Sequence, residues 1–343
     1  MPRELWAVSP EKMEIREYGM PEPLENQVLV RCEYGAAKHG TESSMVKGVS
    51  AGRGRRDTEL GLFIPHDSEP AHGPTRVGNM YVGTVARVGP GVTSLAEGDR
   101  ILGYGTFREV HVAHEDRCWK MPDDLSWRSA LCLDPADFAM AAVRDGQVRI
   151  GDAVAVFGMG AIGLMVVQFA KLSGAEPVIA VDPLPNRRRV AELCGADLIF
   201  DPTACDAGLE IRKATGKEGV DVAVDYSGNV NALQMALRSV AFGGNVVAGA
   251  APSPYGEGLD LGAEAHWHIP NIIFSRACSE PNRDHPRWNE ERIYTTCWRL
   301  ICEGKITGEH IVDPVVSFED LVAEYPKIMS DPGSNVKLGA SFG

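Results

Sequence analysis

Apolar positions recur along this chain in two different rhythms. Up to about residue 145, short runs rich in β-branched residues are broken by Gly and Pro. Residues 27–35, 81–89, 99–105 and 107–113 read as strands, with a turn at Pro90-Gly91. Short strands punctuated this way predict a small barrel. From 151 to about 275, continuous apolar runs at 153–157, 178–182, 198–201, 220–228 and 245–250 alternate with helical spacing at 161–174, 187–196 and 231–240. That alternation predicts a parallel sheet covered on both faces. Beyond it, 292–306 has helical spacing that stops near Gly304, and 336–342 reads as a strand returning to the first domain. The fold class is therefore α/β. A barrel domain is expected at 1–145, a doubly wound parallel-sheet domain at 146–275, and a C-terminal return at 276–343.

Composition narrows the classes of function. The chain has 343 residues, room for two domains, and 34 Lys and Arg against 47 Asp and Glu, a net charge of −13. Phosphate backbones call for a concentrated basic surface, so no nucleic-acid partner is expected. The short cluster Arg53, Arg55 and Arg56 reads as a solvated loop. No apolar run approaches the roughly 20 residues that cross a bilayer, and the first residues mix charges with apolar groups. A soluble cytoplasmic protein without a membrane partner is the expectation. The eight cysteines form no CxxC pair and read as buried thiols.

One motif carries chemistry. Gly158-Met159-Gly160-Ala161-Ile162-Gly163 follows a strand, opens a helix and precedes a second strand that ends in Asp182, 19 positions after Gly163. Gly158 permits the tight turn, Gly160 lets the backbone approach a pyrophosphate, and Gly163 allows close helix–strand packing. The helix N-terminus presents free N–H groups to the phosphates. Asp182 is placed to accept hydrogen bonds from an adenosine ribose and to repel a 2′-phosphate, which favours NAD over NADP. Arg187 to Arg189 pull the other way, since arginines there bind the extra phosphate.

With this motif in its second half and a barrel-like first half, the chain resembles the medium-chain dehydrogenase/reductase superfamily over nearly its whole length. Residues 82–101, 151–171, 219–228 and 243–250 carry the resemblance. It implies a GroES-like barrel as catalytic domain, a Rossmann domain binding NAD, and an active site in the cleft between them. Ser227 and Ala250, in the two later Rossmann stretches, fall on the cofactor side. Zinc-dependent members carry Cys-Gly-(Thr/Ser)-Asp early; here the stretch is His39-Gly40-Thr41-Glu42. Their Gly-His-Glu motif becomes Gly78-Asn79-Met80, their third ligand falls near Asp134, and their four-Cys lobe after Gly98-Asp99 is missing. Catalytic zinc wants three protein ligands, so no metal is expected. The chain therefore resembles the zinc-free branches, including a bacteriochlorophyllide-dehydrogenase-like group that shares the Gly-Thr-Glu version.

The resemblance points to oxidation of a secondary alcohol on a sugar, polyol or cyclic alcohol. Without zinc, a side chain must take the hydroxyl proton. Lys38 and His39 stand where the family puts its first ligand, Thr41 matches its proton-relay hydroxyl, and Asp134 is a candidate to orient His39 or bind a substrate hydroxyl. Tyr104 is a further donor by location. His266, Trp267 and His268 are candidates for a substrate cleft, and His66, Asp67, Glu69 and His72 form a loose cluster without regular ligand spacing. Two other readings stand beside the dehydrogenase: a quinone or enoyl reductase using NAD(P)H, and a cofactor-binding protein without catalysis. Family habit suggests a homo-oligomer, dimer or tetramer.

Overall fold

A computed structural model of the chain describes residues 1–46, 54–65, 73–251, 254–255, 257–277 and 279–343. Arg53 of the basic cluster, the loose cluster His66, Asp67, Glu69 and His72, and Cys278 lie outside the described residues. The chain divides into two compact units, the first made of 1–131 and 312–343, the second of 132–311. The sequence pattern places these boundaries near 145 and 275. The difference has a packing cause: the helix Leu133–Asp145 lies against the helices Ala161–Leu172 and Glu290–Cys302, both in the second unit.

The first unit is β-rich, as the short strands predict. The strand Gln27–Ala36 is its spine. One edge pairs antiparallel with Met80–Val88, and the other with Val110–His114 and then with Lys337–Ser341. Val28, Val30, Cys32, Tyr81, Val85 and Ile101 pack together on one face of this sheet. The last strand also pairs in parallel with Val312–Ser317. The C-terminal return thus completes the first unit's sheet, as the run 336–342 suggests. A smaller sheet joins the hairpin Arg3–Ser9 and Lys12–Glu17 to Thr75–Arg76.

The second unit holds a six-stranded sheet whose pairings are all parallel. Its spatial order is Leu198–Phe200, Val178–Val181, Val154–Phe157, Val220–Asp225, Val240–Ala248 and Asn271–Phe274. Numbered along the chain this is 3-2-1-4-5-6, the order of a dinucleotide-binding fold. The central strands Val154–Phe157 and Val178–Val181 are wholly buried, which explains their unbroken apolar sequence. The switch in direction falls between Val154–Phe157 and Val220–Asp225, where such folds open a crevice at the carboxyl ends of the strands.

Candidate active site

In the second unit, the predicted cofactor residues converge on that carboxyl edge. Gly158 follows the first strand with φ +91°, a conformation open to glycine. A Cβ on Gly158 would come within 2.7 Å of Ser227 N, and one on Gly163 within 1.9 Å of the Gly158 carbonyl oxygen. A Cβ on Gly160 would meet nothing within 4 Å. Close packing at two glycines and open space at the third are what a bound pyrophosphate needs. Gly160 caps the helix Ala161–Leu172 without any side-chain hydrogen bond, so the first-turn N–H groups are not satisfied by a cap.

Asp182 stands at the end of the second strand, 3 % exposed. Oδ2 accepts the N–H of Met159 at 2.7 Å, and Oδ1 that of Leu184 at 2.8 Å. The carboxylate therefore fastens the glycine turn to its neighbouring strand, and each oxygen keeps a second lone pair. Arg188 donates to the Asp182 carbonyl and pairs with Asp201 at 2.9 Å, so its charge is held by another partner. Burial lowers the pKa of Arg187, and the charge of Asp182 opposes that. Ser227 is held by Asp225, which accepts both its N–H at 2.8 Å and its hydroxyl at 2.6 Å. Burial raises the Asp225 pKa and the Ser227 bonds counter it. Ala250 follows the strand Val240–Ala248, and its N–H donates to the Asp225 carbonyl at 3.3 Å. Sequence reasoning passed over Asp225; an Asp two residues before a Ser is the signature of such a turn.

In the first unit, Lys38 precedes, and His39 and Thr41 open, the helix His39–Val46. Lys38 and His39 are half-buried and Thr41 is exposed. The imidazole Nε2 of His39 accepts the N–H of Leu338 at 3.1 Å. Glu42, given no role by the sequence reading although it completes the Gly-Thr-Glu stretch, is buried here. Its Oε1 accepts the N–H of Lys38 at 2.7 Å and of Gly78 at 3.1 Å, and its Oε2 accepts the Tyr325 hydroxyl. Burial raises the Glu42 pKa, and these bonds, with the charge of Lys337, lower it. Asn79 is held through its backbone, its N–H on Ala36 and its carbonyl accepting from Gly105. Asp134 is buried in the first turn of the helix Leu133–Asp145 and belongs to the second unit, whereas His39 belongs to the first.

The donor set does not make a catalytic zinc site. His39 already uses Nε2 for a backbone N–H, Asn79 is an amide, and Met80 is buried at the start of a strand. Among the described residues, no three His, Cys, Asp or Glu side chains stand together as metal ligands. Tyr104 packs edge-on against Trp119, their ring centres 5.8 Å apart. His266 and Trp267 are exposed on a short helix, and the ring of His268 lies against Arg212. Among the described residues no helix is long and apolar enough to cross a membrane.

A glycine-rich turn at the switch point of a 3-2-1-4-5-6 sheet, in a chain that also holds a β-rich unit, defines a two-domain dehydrogenase architecture. The alcohol dehydrogenase GroES-like domain matches residues 25–123, and the zinc-binding dehydrogenase domain matches 161–268. The chain is 40 % identical to a D-guloside 3-dehydrogenase of Escherichia coli over 99 % of this chain and 100 % of that one. It belongs to the zinc-type medium-chain dehydrogenase/reductase superfamily of alcohol and polyol dehydrogenases. Its fold matches the crystal structure of a 2R,3R-butanediol dehydrogenase from Bacillus subtilis with a TM-score of 0.78, 22 % identity and full coverage of both chains. It also matches a zinc-binding dehydrogenase from Sinorhizobium meliloti bound to NADP, with a TM-score of 0.75, 21 % identity and 99 % coverage of both. The superfamily is nicotinamide-dependent.

Proposed function

We propose that the protein is an NAD-dependent dehydrogenase that oxidises a secondary hydroxyl of a sugar, glycoside or polyol without catalytic zinc. The observation that carries this reading is the open cradle at Gly160, backed by Asp182 in the acidic position and by full-length similarity to a D-guloside 3-dehydrogenase. Gly158 to Gly163, with Ser227 and Ala250, hold the dinucleotide; Asp182 holds its adenosine ribose. A nicotinamide held there would supply the hydride acceptor. The hydroxyl proton goes to Lys38, with the Thr41 hydroxyl as relay, so that alcohol becomes ketone, hydride and proton. Asp134 is kept as a candidate to hold a substrate hydroxyl. The unsuitability of His39, Asn79 and Met80 as a ligand set supports a metal-free route.

The test is a panel of D-gulosides, other glycosides, polyols, simple secondary alcohols and quinones, each offered with NAD or NADH while the reduced nicotinamide is followed by absorbance. Glycosides or polyols should be oxidised with NAD. Turnover confined to quinones or activated alkenes would replace this reading with a reductase. Cofactor binding without any turnover would leave a non-catalytic protein.

A further inference from the structure

We propose that Glu42 is the positioning residue of this site: its carboxylate joins the Lys38–Thr41 segment to the Gly78–Asn79 turn, and the C-terminal return holds that carboxylate in place. The inference rests on the dehydrogenase reading for its catalytic consequence, but its geometry stands alone. Two backbone segments far apart in sequence meet on one oxygen, since Oε1 takes the N–H groups of both Lys38 and Gly78. The other oxygen takes the hydroxyl of Tyr325 from the helix Leu321–Ser330. Glu42 is 5 % exposed, so its charge depends on these donors rather than on water.

The C-terminal return adds three further fastenings to the same loop. Lys337, 4 % exposed, donates from Nζ to the Ala37 carbonyl at 2.6 Å. The Ala37 N–H donates to the Leu338 carbonyl at 3.0 Å, and the Leu338 N–H donates to His39. Glu42 and Lys337, both buried, thus each bond the backbone of the segment that carries Lys38. A glutamine at 42 keeps an acceptor for both N–H groups and offers its amide N–H to the Tyr325 oxygen. An alanine removes the acceptor of two part-buried N–H groups and of the buried Tyr325 hydroxyl.

The experiment measures kcat, KM for the alcohol, NADH binding by fluorescence titration, and amide hydrogen exchange at Lys38 and Gly78, in wild type, Glu42→Ala and Glu42→Gln. For Glu42→Ala we expect kcat to fall roughly tenfold to a hundredfold, as for a misplaced reacting group. NADH affinity should stay within about twofold, and both amides should exchange faster. Glu42→Gln should recover most of the rate and of the protection. Wild-type kcat in Glu42→Ala, an equal loss of NADH affinity, or a Glu42→Gln as impaired as the alanine would each overturn the proposal. Should Glu42→Ala not fold, Tyr325→Phe replaces it: faster exchange at Lys38 and Gly78 with a several-fold lower kcat supports the proposal, and unchanged exchange overturns it. Wild-type protein that neither binds NADH nor oxidises any alcohol refutes the dehydrogenase reading instead, and the exchange measurements still decide the role of Glu42.

Discussion

The backbone N–H of Leu338 donates to Nε2 of His39, and so decides where the ring proton sits. A nitrogen that accepts a backbone N–H carries no proton, so neutral His39 holds its proton on Nδ1. Taking a second proton at Nε2 would set two N–H groups against each other. His39 is thereby suited to hold the segment, which is the ground for proposing its neighbour Lys38 as the proton acceptor.

Lys38→Ala should lower kcat by roughly 10²–10⁴-fold, the usual cost of losing a positioned acid/base group, while NAD affinity stays unchanged. His39→Ala should lower kcat less and also lower stability by about 1 kcal/mol, for one lost hydrogen bond. Thr41→Val should cost less than Lys38→Ala. Steady-state kinetics on an accepted substrate, with urea denaturation alongside, separate the three. Wild-type turnover in Lys38→Ala would move the proton to Tyr104 or Asp134.

Asp182 should give a preference for NAD over NADP of at least tenfold, or roughly 1.4 kcal/mol. Asp182→Ala should weaken NAD binding and also loosen the turn, because Met159 and Leu184 lose their acceptor. Calorimetric titration of both cofactors checks this. Equal affinities would show that Arg187 and Arg189 outweigh the carboxylate.

Purified protein should contain no stoichiometric zinc and should keep its activity in a chelator. About one zinc per chain by elemental analysis would require three ligands that the described residues do not assemble.

Stability should fall in mild acid through His111. Its ring stacks on Tyr81 with centroids 3.6 Å apart, and burial together with the Arg108 charge pushes its pKa well below the usual value. A depressed folded-state pKa means that the contribution is complete above the unfolded value, near about 6.5, and is lost as pH falls below it. Glu42 has the opposite sign, since its folded pKa is raised: its contribution is complete below the unfolded carboxylate value and wanes as pH rises through the folded one. Urea titrations at about pH 7.5 and about pH 5.5 should show a drop that His111→Phe, which keeps a stacked ring, makes smaller. An identical drop in the variant would assign it to other groups.

The second unit was readable because its signals are local. An apolar strand, a glycine turn, a helix and an acid lie within a single stretch from Val154 to Asp182, and strand–helix alternation announces a parallel sheet, though not its strand order. The helix Leu133–Asp145 was missed as a member of this unit because its partners, Ala161–Leu172 and Glu290–Cys302, lie downstream. The helix His39–Val46 has almost no apolar face, so periodicity cannot announce it. Glu42 was invisible as a functional group for a related reason: its hydroxyl partner is Tyr325, 283 positions away, and no local pattern links them. The hairpin Arg3–Ser9 and Lys12–Glu17 hid behind mixed charge, since the buried Glu4 is paired with Arg76 and Arg108 at 3.1 and 2.8 Å and accepts the Trp6 indole N–H.

The discontinuous first unit has a consequence for synthesis. Gly35 pairs with Ala340, so the spine strand Gln27–Ala36 waits for nearly the whole chain before that stretch of its edge is filled. At about 5–20 residues per second, the wait is on the order of tens of seconds. Throughout it, residues 132–311 can finish their own sheet, whereas Tyr34 to Ala36 present unpaired backbone to any other strand nearby. The nascent chain is therefore most exposed to mispairing at the strand leading into Lys38, and a ribosome stalled before residue 337 leaves that strand without its closing partner.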